Sequence, residues 1–168
     1  MLSRRQMLGA LALAGGGSTL SACGFRPLYG GGLDGSVAQD LSAITINDPA
    51  TRLEQAVRNE LVFLFTGGGA PSPARYRLQL SVSSTTSALV IESVTGRPTA
   101  TALNLTALVV LTDIETGAVL LNQTFLASAS FEESTQRFAD QRAALDAGQR
   151  AARDVAERIR TRVAVTLR

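Results

Sequence analysis

The sequence has no histidine, no tryptophan and a single cysteine, Cys23. Without imidazole, the usual neutral-pH general bases and histidine-bearing metal sites cannot be built, and a lone thiol has no histidine to activate it. Lysine is also missing, so all 16 basic residues are arginine, set against 14 acidic ones. The net charge of +2 counts Arg4 and Arg5, which lie in a segment expected to be removed; without them the chain is neutral. Nucleic-acid binding is therefore disfavoured, because counterion release requires clustered positive charge. Neither a catalytic site, a metal nor a cofactor is expected. No Gly-x-Ser-x-Gly elbow is present, and the pairs Asp113/Glu115 and Glu132/Glu133 read as turn and helix-entry charges. What remains is ordinary: 168 residues, 45% hydrophobic and 18% charged, enough for one domain with its own core.

The amino terminus is the most specific stretch. Arg4-Arg5 is followed by an uncharged, mostly apolar run from Met7 to Ala14, then by Gly15-Gly16-Gly17-Ser18 and Leu20-Ser21-Ala22-Cys23. This is the three-part pattern of an export signal. The apolar run is too short to span a bilayer, which takes about 20 residues. Leu20-Ser21-Ala22-Cys23 resembles the bacterial lipobox, in which the cysteine receives a diacylglycerol thioether, the Ala22–Cys23 bond is cut and the new amine is acylated. Each buried methylene adds about 0.8 kcal/mol of membrane association, so several acyl chains make a firm tether. The plain alternative is an incidental thiol. Gly24 follows, and in the bacterial lipoproteins that this motif resembles a residue other than aspartate after the cysteine permits transport to the outer membrane. Arg4-Arg5 with Met7 in place of phenylalanine leaves the general and twin-arginine export routes both open. Residues 1–22 are thus expected to be a removed signal peptide and 23–41 a lipidated, glycine-rich tether, with 42–168 a single domain.

The body reads as strand, helix, three strands, helix. Ile44 and Ile46 alternate with Thr45 and Asn47 in a short strand. Thr51 and Glu54 have capping-box spacing, and Leu53, Val57, Leu61 and Leu64 recur on one helical face up to Gly67. The triplet Gly67–Gly69 lacks the lysine and serine or threonine of a phosphate loop, so a linker or cap is the better reading. Tyr76, Leu78, Leu80 and Val82 alternate with Arg77, Gln79 and Ser81, while Leu89 and Ile91 take the opposite parity. A bulge or strand bend within Ser83–Ser87 is predicted to restore the inward face. Leu103, Leu105, Ala107, Val109 and Leu111 form the next row, and Val119, Leu121, Phe125, Ala127 and Phe131 follow a hairpin turned at Gly117. From about Phe138 to Val165 the chain favours helix, with Leu145, Gly148, Ala152, Val155, Ile159 and Val163 on one face. Asp146 with Arg150, and Asp154 with Arg158, stand at ion-pair spacing.

Cys23-Gly24-Phe25-Arg26-Pro27-Leu28-Tyr29, the strand from Tyr76 to Val82, Asp113-x-x-Thr116-Gly117 and the closing helix Ala151–Arg162 resemble the LptE family of lipopolysaccharide-assembly lipoproteins in its alphaproteobacterial form. The resemblance implies an α+β two-layer sandwich, a four-stranded, mainly antiparallel sheet with two helices on one face. It implies an outer-membrane, lipid-anchored protein facing the periplasm or sitting inside the lumen of the LptD barrel. Such a protein helps that barrel assemble and helps deliver lipopolysaccharide to the outer leaflet. Two surfaces are singled out for these partners. Leu108, Val110, Leu120 and Leu126 fall on the parity that helices on one face leave uncovered, and packing under the tether is their plain alternative. Arg75, Arg77 and Arg97 offer guanidinium forks to lipid phosphates, or are simply solvated. The rival reading is another lipoprotein adaptor, such as a secretin pilotin or the auxiliary lipoprotein of an ABC-type lipid transporter.

Overall fold

The computed structural model describes residues 35–92, 98–134 and 136–168. In chain order these form α1 (Ser36–Ser42), β1 (Ile44–Ile46), α2 (Arg52–Thr66), β2 (Tyr76–Ile91), β3 (Pro98–Asp113), β4 (Val119–Glu132) and α3 (Arg137–Thr166). The strands lie side by side in the order β1-β2-β3-β4. β1 pairs parallel with β2, and the other two pairings are antiparallel. The expected mainly antiparallel α+β sandwich is what forms, with one added element. Residues 36–41, expected to belong to the tether, are instead part of α1, which buries Leu41 in the core. Hydroxyl contact between Ser42 and Ser72 at 2.7 Å, and donation from the Arg75 amide to the Ala43 carbonyl at 2.9 Å, fasten this helix beside the start of β2.

Strand parity divides the sheet into two unlike faces. Tyr76, Leu78, Leu80 and Val82 of β2 stand in register with Asp113, Leu111, Val109 and Ala107 of β3. Leu111, Ala107 and Leu105 in turn oppose Leu121, Phe125 and Ala127 of β4. Apart from Asp113, these side chains are buried under α2 and α3 and form the core with them. α2 starts on the predicted cap: the Glu54 amide donates to the Thr51 hydroxyl at 3.1 Å, while the Glu54 carboxylate accepts from the Ala50 amide. It ends at Gly67, whose φ of 61° lies in the left-handed region. Val57, Leu61 and Phe65 are its buried stripe, with Leu53 and Leu64 only partly covered. α3 buries mainly small residues, Ala147, Gly148, Ala151, Ala152 and Ala156, together with Val155, Ile159 and Val163.

Three further sequence expectations are corrected. Pairing between β2 and β3 runs unshifted from Tyr76 through Ala88, so no bulge lies within Ser83–Ser87. The register shifts come later, at Ala88/Val90 and Val90/Ile91, and Leu89, Val90 and Ile91 stay exposed. The reason is cover: Ser84 and Thr86 are themselves exposed, so along β2 there is no buried inward row here to restore. Val119 is not an inward residue but 60% exposed. A shift at Leu111/Thr112 sets Val119 opposite Thr112 and leaves Leu120 as the extra residue. Leu145, expected on the buried stripe of α3, is 47% exposed because it lies beyond the ridge centred on Ala147 and Ala151.

The β3–β4 turn forms as its residues imply. Gly117 has φ 70°, and its amide donates to the Asp113 carbonyl at 2.9 Å. One Asp113 carboxylate oxygen accepts from the amides of Glu115 and Thr116, each at 2.9 Å. The Thr116 amide is the main reason that the Asp113 carboxyl titrates below its usual value of 3.8; desolvation opposes this, and Glu115 and Arg75 assist. A depressed carboxyl contributes stability above the unfolded-state value, and that stability is lost as pH falls through the folded one. The deficit of Asp113→Ala, measured by denaturant midpoints, should therefore be full at neutral pH and shrink below about pH 4. Leu111→Ala, on the buried face, should cost about 2–5 kcal/mol. Leu126→Ala, on the open face, should stay within about 0.5 kcal/mol in the same urea titration.

Candidate functional site

No described helix covers the second face of the sheet. Arg77, Gln79, Ser81, Asn122 and Thr124 give it the expected polar character, but it also carries apolar side chains. The pairing register shows how these connect. Leu108 opposes Thr124 and Val110 opposes Asn122, while Leu126 opposes Thr106, one diagonal step from Leu108. Diagonal neighbours in an antiparallel pair lie about 7–8 Å apart, within reach of long side chains. The structure thus brings Leu126, Leu108, Val110 and Leu120 into one stripe that runs along the β3–β4 pair. Leu108 is 45% exposed and Leu126 63%. Val119 and Ile114, both exposed, extend the stripe to the β3–β4 turn. Parity alone missed Val119, because the shift that turns it outward is a property of the register and not of the alternation.

The arginines expected to meet lipid phosphates do not form one cluster. Arg75 lies 3.5 Å from the Asp40 carboxylate of α1, with its guanidinium carbon 5.1 Å from the centre of the Tyr76 ring. Burial, and next Asp40, raise the Tyr76 hydroxyl above its usual value of 10.0, with Asp113 adding to the rise and Arg75 opposing it. Arg77 stands on the helix-free face between Thr45 of β1 and Thr112 of β3. Arg97 lies outside the described residues, as do Ala22 and Cys23.

The helix side holds a different feature, a half-open groove of about 480 Å³ between α2 and α3. Leu53, Ala56, Leu103 and Leu145 line it, and Arg52 and Arg142 flank it. The small side of α3 at Gly148 leaves room here: an added Cβ would make ordinary contact with Leu53 at 3.5 Å. Among the described residues no group of three or more acidic, histidine or cysteine side chains could hold a metal ion. No described helix is long and apolar enough to cross a membrane.

Several solved structures share this architecture. A Caulobacter crescentus protein described as a lipoprotein is similar at a TM-score of 0.65 and 24% identity, covering 78% of this chain and 95% of its own. Rare lipoprotein B from Shewanella oneidensis is similar at 0.55 and 16% identity, covering 74% of this chain and 93% of its own. A minor lipoprotein from Acinetobacter baumannii is similar at 0.51 and 17%, covering 73% and 88%. At these identities the likeness establishes the fold. No curated protein matches the chain. The model of the lipopolysaccharide-assembly family LptE matches residues 38–163, from α1 almost to the end of α3. The chain therefore belongs to the LptE family, non-enzymatic lipoproteins of lipopolysaccharide assembly.

Proposed function

We propose that this protein is held in the outer membrane by acyl chains on Cys23 and forms a complex with the LptD barrel, assisting its assembly and the passage of lipopolysaccharide to the outer leaflet. The observation that carries the reading is the stripe of Leu108, Val110, Leu120 and Leu126 on the helix-free face. An apolar patch of this kind on a folded body is the ordinary mark of an interface. It lies opposite the helices, so it can be covered without disturbing the core. Family membership supplies the kind of assembly in which the patch is used.

The lipid attachment rests on the lipobox spacing of Leu20-Ser21-Ala22-Cys23 and on residue 23 being the only cysteine. Lipopolysaccharide contact is assigned to Arg75, Arg77 and Arg97, whose forks suit phosphate oxygens. Of the two that are described, Arg77 is the better placed, because it shares the face with the stripe, whereas Arg75 is occupied with Asp40.

The reading is tested by co-purification with the barrel from detergent-solubilised outer membrane. Leu108→Glu combined with Leu126→Glu should reduce recovery of the barrel by about tenfold, since unpaired charge buried at an interface is strongly unfavourable. The thermal melt of the variant should stay close to that of the parent. Unchanged recovery would remove the stripe from the interface. Mass spectrometry of the native protein should show residue 23 as the first residue, carrying acyl mass, and an unmodified thiol there would overturn the anchoring.

A further inference from the structure

An edge strand presents a row of unpaired amides and carbonyls, and folded proteins usually blunt it with charge, proline, bulges or brevity. The two edges of this sheet differ in that respect. On the β2 side, β1 is three residues long, and beyond it Asn47 closes the next position. Its side-chain oxygen accepts from the Leu80 amide at 2.7 Å and its nitrogen donates to the Leu80 carbonyl at 3.2 Å. Further along, the register shifts at Ala88/Val90 and Val90/Ile91 disturb the same edge. The β4 edge is blunted only at its ends, by the register shift at Leu120 and by Arg150 on the Ser130 carbonyl. From Val119 to Phe131 it carries no charged residue, no proline and no glycine, and from Leu121 to Glu132 its pairing with β3 is regular.

The ladder identifies which backbone groups face outward. The Glu133 amide donates inward to Thr99, while the Ser130 carbonyl accepts from the α3 side chain Arg150 at 2.8 Å. Antiparallel pairing alternates residue by residue, so the amides and carbonyls of Asn122, Thr124, Leu126 and Ser128 also point away from β3. The segment from Asn122 to Ser130 is about 30 Å long at roughly 3.4 Å per residue. Beside it runs a row of arginines on α3. Arg150 reaches Ser130, Arg158 lines a shallow pocket together with Leu126 and Ser128, and Arg162 donates to the Gln123 side chain at 3.0 Å. Arg150 and Arg158 are paired with Asp146 and Asp154, but among the described residues Arg162 is bonded to no carboxylate.

We propose that the β4 edge accepts an extended strand, with acidic residues on the side facing α3, contributed by the barrel proposed above as partner; the inference rests on that reading. Only a polypeptide backbone satisfies alternating donors and acceptors over this length, and main-chain hydrogen bonds are how an added strand binds. A second copy of this chain is the poorer occupant. A second β4 edge carries no acidic residue from Val119 to Phe131, so it offers nothing to Arg162, the arginine of the row that is bonded to no carboxylate among the described residues. The edge also adjoins the apolar stripe, because Leu126 turns its side chain to the helix-free face and its amide to the open edge.

The test is amide hydrogen exchange of the full-length protein, alone and in its purified complex with the barrel. The amides of Thr124, Leu126 and Ser128 should exchange more than about tenfold more slowly in the complex. Ser128→Pro removes one edge donor where proline is tolerated, and should weaken complex formation about tenfold without lowering the melt of the isolated chain. Should that variant fail to fold, Arg158→Glu replaces it, with the same loss expected and unchanged assembly counting against the inference. A complex that forms without protection of these amides overturns the inference and leaves the functional reading standing. Failure of the intact chain to form the complex overturns both. Edge protection in the isolated protein that rises with concentration, with a dimer in sedimentation, makes the occupant a second copy and overturns the inference too.

Discussion

One-sided cover is the constraint on which the structure depends. A strand sends alternate side chains to opposite faces, and two helices on the same side can bury only one of those sets. The inward residues from Tyr76 to Val82, from Leu105 to Leu111 and from Leu121 to Ala129, Gln123 excepted, take their places in the core by that rule. The same rule leaves Leu108 and Leu126 in water. Core and surface patch are two outcomes of one arithmetic, and neither changes without the other. A slip of one residue in the register would expose the core and bury the glutamines, serines and threonines.

Much of this was legible in residue order because the determinants are local. Thr51 and Glu54 cap α2, Gly67 ends it, and Asp113 with Gly117 turns the last hairpin, each through contacts within a few residues. The strands β2, β3 and β4 announce themselves by period two. What was not legible depends on distant partners. α1 follows glycine-rich sequence, and its burial depends on Leu41 meeting a core assembled from later elements. Val119 faces outward because β3 and β4 change register one residue away. Leu89 to Ile91 remain exposed because the helices do not reach that end of the long hairpin, and no pattern within those residues records where a helix stops.

The candidate surfaces follow the same division. Leu108, Val110, Leu120 and Leu126 could be picked out by parity, since alternation is a property of the sequence. That they form one continuous stripe could not, since adjacency across a strand pair is a relation between strands. Arg75 and Arg77 are two residues apart in sequence, yet Arg75 is drawn to Asp40 of α1 while Arg77 stays among threonines. The open flank of β4 could be seen in part as an uncharged run. Its significance needed the strand order, which makes β4 terminal in the sheet, and the arginines that α3 lays beside it.

The narrow side chains along α3 have a mechanical effect. Glycine and alanine let a helix of 30 residues, about 45 Å long, lie almost against the strands beneath it. Val155, Ile159 and Val163 are the largest side chains that the helix buries, so there is little slack to absorb an intruding group. A side chain several atoms larger placed near the middle of that contact would act as a pivot and tilt the whole rod. The ends of the rod, Phe138 on one side and Leu167 on the other, would then move farthest, and a disturbance too small to unfold the body would be felt at both its extremities.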